Sequence, residues 1–90
     1  MTHELKILPE YFEAVRRGIK TFELRRDRAY QIGDEVWLRE WKPGYGYTGR
    51  DIARDIVYIL KDCPEYGLEK GYCILGLEVL NTADFESKKG

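Results

Sequence analysis

Gly18-Ile19-Lys20-Thr21-Phe22-Glu23-Leu24-Arg25 joins two kinds of pattern. Before Gly18 the apolar residues recur at helical spacing; after it they alternate. A helix that stops at Gly18 and a strand that starts at once is the simplest reading. On that strand Phe22 and Leu24 share one parity, and Thr21, Glu23 and Arg25 share the other. Lys20, Glu23 and Arg25 place three ionised groups within six residues. Such a polar face suits the wall of a pocket for an anionic or hydrogen-bonding ligand. It serves equally as a solvated outer face carrying a cross-strand ion pair.

Upstream, Pro9 suits the first turn of a helix, and Tyr11, Phe12, Val15 and Ile19 form an apolar stripe of helical period. Glu10 and Glu13 come early and Arg16 and Arg17 late, as the helix dipole favours. These signals predict a helix over residues 9–17. Before it, His3, Leu5 and Ile7 alternate with Glu4 and Lys6, a first strand.

Downstream, residues 27–31 are polar and predict a turn, and Ile32-Gly33-Asp34-Glu35 a tight one. Val36 to Trp41 is a strand with Val36 and Leu38 on one face and Trp37 and Trp41 on the other. Residues 42–49 hold three glycines and two tyrosines, Tyr45 and Tyr47, and read as a recognition loop or a hairpin connection. Ile52 to Leu60 fits either period. Its density of β-branched residues favours a long strand with a bulge near Val57. Cys63 to Gly71 reads as a loop, Tyr72 to Leu80 as the last strand, and 81–90 as a flexible polar tail behind a domain of residues 1–80. One helix among five or six strands gives the α+β class, with a small curled sheet or barrel whose mouth the helix closes.

Ninety residues allow one domain with a thin core. No apolar run approaches the ~20 residues of a membrane span, and the first residues lack a signal-peptide pattern, so a cytoplasmic protein is expected. Cys63, Cys73 and the single histidine, His3, lack the spacing of a metal site, and no cofactor is implied. The net charge of −1 argues against a generic polyanion binder, but residues 16–28 carry a local +4. Nucleic-acid contact would therefore be made through a patch.

Gly18-x-Lys20-x-x-Glu23-x-Arg25 at a helix-to-strand junction, then Gly33-Asp34 and Val36-Trp37-Leu38, resembles the ASCH domain of the PUA-like superfamily. His3-Glu4-Leu5-Lys6-Ile7-Leu8, Glu40-Trp41, Tyr47-Thr48-Gly49-Arg50 and Gly71-Tyr72 extend the resemblance to short bacterial and phage ASCH/PUA-like proteins of unknown function, across residues 3–80. It implies a small β-barrel with a helix near its mouth and a cleft for RNA or a nucleotide-like ligand. Lys20, Glu23 and Arg25 would line that cleft, with Trp41 and Tyr47 to Arg50 beside it. Some ASCH proteins are amidohydrolases of acylated cytidine. Their lysine matches Lys20, but the position of their nucleophilic threonine holds Glu23, and Thr21 stands two residues early.

The leading expectation is a module binding single-stranded RNA or a nucleotide through Lys20, Thr21, Glu23, Arg25 and Arg50, with Trp41, Tyr45 and Tyr47 as stacking faces and His3 as a further candidate. A hydrolase of modified nucleoside or RNA, with Glu23 as base and Lys20 or Arg25 as oxyanion partner, is the alternative. A regulatory module meeting a protein partner through the tyrosine-rich loop is the third. An exposed strand edge would also let a second copy pair, so the oligomeric state stays open.

Overall fold

A first strand, β1 (Thr2–Ile7), runs straight into the helix α1 (Pro9–Arg16). A computed structural model describes residues 1–79 of the chain; the expected tail, and Leu80 at the end of the last strand, lie outside them. Pro9 stands in the first turn of α1, where its missing N–H costs nothing, and Leu8 is the N-cap without a side-chain bond. Gly18 takes a φ of 77°, and its N–H bonds the Val15 carbonyl at 3.0 Å, so the expected stop is made by left-handed backbone. Only part of the predicted apolar stripe is core. Phe12 and Val15 are buried, whereas Tyr11 and Ile19 are exposed, because α1 lies against one side of the sheet and ends before Ile19.

The remaining strands are β2 (Phe22–Arg26), β3 (Glu35–Lys42), β4 (Gly46–Leu60) and β5 (Tyr72–Leu77), with a short 3₁₀ turn at Pro64–Tyr66. They form one mixed sheet in the order β1-β3-β4-β5-β2, with β1 parallel to β3 and every other pair antiparallel. The 15-residue β4 joins the two halves: its first part pairs with β3 and its last part with β5. The register slips between Ile56 and Tyr58, which places a bulge at Val57, and Ile52 to Leu60 is strand throughout. Bulges bend a strand and increase its twist, so this one lets the sheet curl round its contents. Those contents are Leu5, Ile7, Phe12, Val15, Tyr30, Val36, Leu38, Ile56, Cys73, Leu75 and Leu77.

The α+β class is therefore as expected, but the sheet is not closed into a barrel. β1 and β2 are its two edges, and no ladder joins them. Among the described residues, one side-chain bond crosses instead, from Arg25 Nη2 to the Lys6 carbonyl at 2.7 Å. The ion triad of Lys20, Glu23 and Arg25 lies along this gap between the edges.

Two local expectations are also corrected. The recognition loop shrinks to a turn at Pro43, Gly44 and Tyr45, because Gly46 onward pairs with β3 and Trp41 faces Tyr47 across the ladder. On β2 the two faces have the opposite sense from an ordinary core strand: Phe22 and Leu24 are about half exposed, and Glu23 is buried. Glu23 is tolerated inside because two cations go in with it.

Candidate functional site

The unclosed seam between β1 and β2 is a cleft of about 420 Å³, lined by Lys6, Ile7, Leu8, Tyr11, Lys20, Phe22, Glu23, Leu24 and Arg25. Three of its residues are the ionised members of the Gly18–Arg25 stretch, and local chain geometry explains why they meet. After the Gly18 turn the chain reverses, and the backbone N–H groups of Ile19 and Lys20 both bond the Ala14 carbonyl, at 2.9 and 3.0 Å. That anchors Lys20 beside the start of β2, where its ammonium reaches back to the Phe22 carbonyl and to Glu23 Oε1. Glu23 and Arg25 are two residues apart on one strand and so share a face.

Glu23 is 4% exposed, and both its oxygens are engaged. Lys20 holds Oε1; Arg25 donates to Oε2 from Nε at 2.9 Å and approaches it with Nη2 at 2.8 Å. A carboxylate so enclosed has little left to offer a ligand. What Glu23 does in the cleft is hold two cations, one on each oxygen. Arg25 Nη1 has no partner among the described residues, and the Lys20 ammonium lies 4.8 Å from the Phe22 ring centre and 5.8 Å from that of Tyr11. The cleft thus combines a mainly apolar lining with the Lys20 and Arg25 cations and the rings of Tyr11 and Phe22.

The other expected site residues are distributed around the sheet. Thr21 is half-buried, gives its carbonyl to the Leu77 N–H at 2.9 Å, and does not line the cleft. Trp41 and Tyr47 lie on the outer face of β3 and β4, where the Lys6 ammonium sits 4.8 Å over Trp41. Tyr45 stands at the hairpin tip, 72% exposed. Arg50 is drawn to α1: it bonds Glu13 at 3.1 Å, lies 4.7 Å over the Phe12 ring, and approaches the buried Glu40 at 3.8 Å. With the Arg16 guanidinium and then Arg50 donating to it, Glu13 is held down at about 2.

His3 is at the opposite end of β1 from the cleft-lining Lys6 and Ile7. It is buried against Tyr30, with ring centres 4.6 Å apart, and its Nε2 is 2.8 Å from Asp34 Oδ2. That contact first, and the Gln31 N–H second, keep the Asp34 carboxyl below its ordinary value. His3 is a structural pin for the Gly33-Asp34 turn and takes no part in the cleft.

The sequence reading missed Lys6, Leu8 and Tyr11 as cleft residues. Exposed Leu8 just before Pro9, and an aromatic at the edge of the helical stripe, were the available signals. It also missed Glu40, buried inside β3 and bonded by the Thr48 hydroxyl at 2.6 Å. No group of three or more metal-ligating side chains occurs among the described residues, nor any helix long and apolar enough to cross a membrane.

Residues 2–77 match the model of a family described as a domain of unknown function, DUF3850. The chain is also similar to an uncharacterized 12.9 kDa protein in the GpA 3′ region of Escherichia phage P2, with 43% identity over 55 residues. That alignment takes in 60% of this chain and 50% of the phage protein, so the chain spans about half the length of the curated relative it matches.

Proposed function

The chain belongs to the DUF3850 family, and from the geometry of its cleft we propose an RNA- or nucleotide-binding module of the ASCH type, PUA-like in architecture, acting in the cytoplasm. The β1–β2 cleft is the binding site.

One observation carries this reading: a buried glutamate holds Lys20 and Arg25 at the floor of an aromatic-walled opening. Two cations against one carboxylate leave a net positive floor, which favours phosphate. Arginine presents a planar fork suited to a phosphate or a base edge. Tyr11 and Phe22 supply faces on which a base can stack, and such stacking contributes about 1–3 kcal/mol per base. The volume of about 420 Å³ lies within the range of small-ligand sites.

The test is titration of the protein with single-stranded RNA and with nucleoside monophosphates at low and moderate salt. Arg25→Gln should weaken RNA binding at least tenfold while the protein stays folded, and wild-type affinity should fall as salt rises. Equal affinity in wild type and Arg25→Gln, or indifference to salt, would remove phosphate contact from the reading.

A further inference from the structure

The outer face of β1, β3 and β4 continues the cleft. Lys6 lines the cleft and also caps the Trp41 ring at 4.8 Å. In the sheet register Lys6 stands opposite Arg39, and Trp41 opposite Tyr47. The Arg39 guanidinium is 3.9 Å from the centre of the Tyr47 ring and 5.1 Å from that of Trp37. Aromatic rings and cations therefore alternate across neighbouring strands. At the cleft end the face carries Lys6 and then Arg39, which stands opposite Asp51 and bonds Glu4 at 2.7 Å; farther on come Glu35 and Asp55. The cationic stretch of the face is short: Lys6 beside the cleft, then Arg39 between two carboxylates.

Resting on the reading of the cleft as a nucleotide site, we propose that Trp41 and Tyr47 form a stacking subsite for the two nucleotides that leave the cleft past Lys6. The preferred ligand is then a short single strand, three nucleotides or more, and not a free nucleotide. Rings that hold a cation on their face are suited to a base on that face too, since the cation can move to the neighbouring phosphate. Tyr47 is 41% exposed and Trp41 half-buried, so both rings reach solvent, with Arg39 held over Tyr47 by its bond to Glu4. Glu4 and Asp51 set the limit of the footprint, because a phosphate carried beyond Arg39 would meet them.

Calorimetric titration decides it, using the four nucleoside monophosphates and mixed-sequence oligoribonucleotides of two, three, four and six residues. Affinity should tighten about tenfold with each of the first two nucleotides added, then level off. Trp41→Ala should cost the trimer about tenfold or more and leave the monophosphates unchanged. Trp41→Phe should keep most of the trimer's affinity, which separates a lost stacking face from a disturbed fold, and Tyr47→Ala provides an independent variant on the neighbouring strand. Monophosphates that bind while affinity ignores length, or a trimer indifferent to both Trp41→Ala and Tyr47→Ala, would overturn the subsite and leave the cleft standing. Gains that continue evenly to six residues would overturn the footprint. Failure of every ligand to bind would overturn the cleft reading and the subsite together.

Discussion

Glu23 and Glu40 are both buried glutamates, and they are held in opposite ways. Glu23 stands in an ion triad, with Lys20 and Arg25 on its two oxygens, at an open seam of the sheet. Glu40 sits where β3 passes under α1. Its close partner is a neutral hydroxyl, Thr48 Oγ1 at 2.6 Å, with the Arg50 guanidinium farther off at 3.8 Å. The difference separates two uses of a buried charge. At the seam the carboxylate holds two cations beside the cleft; under the helix it ties β3 to β4 beside a bulge.

The largest effect should come from removing the shared carboxylate at the seam. Glu23→Ala leaves Lys20 and Arg25 side by side without their counterion. We expect a loss of about 2–3 kcal/mol, below the full figure for a broken buried pair because both cations still reach solvent. Urea unfolding measures it; a loss under about 0.5 kcal/mol would mean the triad is not what organises the seam.

Thr48→Val should follow, at about 1–2 kcal/mol, because Glu40 loses its hydroxyl donor and keeps its burial. RNA affinity should stay within about twofold of wild type. A collapse of binding in this variant would merge the two glutamates into one functional site and dissolve the contrast.

The two arginines sharpen the same comparison. Arg25→Gln should act mainly on ligand affinity, at least tenfold, or about 1.4 kcal/mol. Arg50→Gln should act on stability alone, by a few tenths of a kcal/mol, because Arg50 is half exposed. Parallel calorimetry and unfolding on both variants would expose a reversal.

The smallest effect concerns acid. The folded Glu13 carboxyl titrates at about 2 against an ordinary 4.5, held down first by Arg16 and then by Arg50. A carboxylate lowered in this way adds stability above its ordinary value and loses it as pH falls from 4.5 towards 2. Wild type should therefore lose more of its urea midpoint between pH 5 and pH 2.5 than Glu13→Gln does. Equal losses would mean that Glu13 is not coupled to folding.

How far the sequence reached depends on whether a feature is set locally. The α1 helix, its Gly18 stop, the Gly33-Asp34 turn and the strand bulge at Val57 were all legible, because each follows from neighbours within a few residues. The parity of β2 was legible too, but not which face turned inward. Alternation separates two faces of a strand, and apolar Phe22 and Leu24 would ordinarily claim the core. The outcome depended on Lys20 folding back from the Gly18 turn and on a carbonyl of β1 coming within reach of Arg25, both of which require the assembled sheet. The site list divided along the same line. Lys20, Glu23 and Arg25 lie close in sequence and met as expected; Trp41, Tyr47, Arg50 and His3 lie far from them in sequence and were placed by strand register elsewhere.

Sequence by itself determined the α+β class, the order of elements and the charged stretch from which the cleft is built, since hydrophobic period and turn chemistry are local properties of the chain. Only the tertiary structure decided that the sheet stays open between β1 and β2, that Glu23 lies inside it, and that Lys6 links the cleft to Trp41. Those are distances between residues brought together by curling the sheet, and a one-dimensional pattern carries no record of how far it curls.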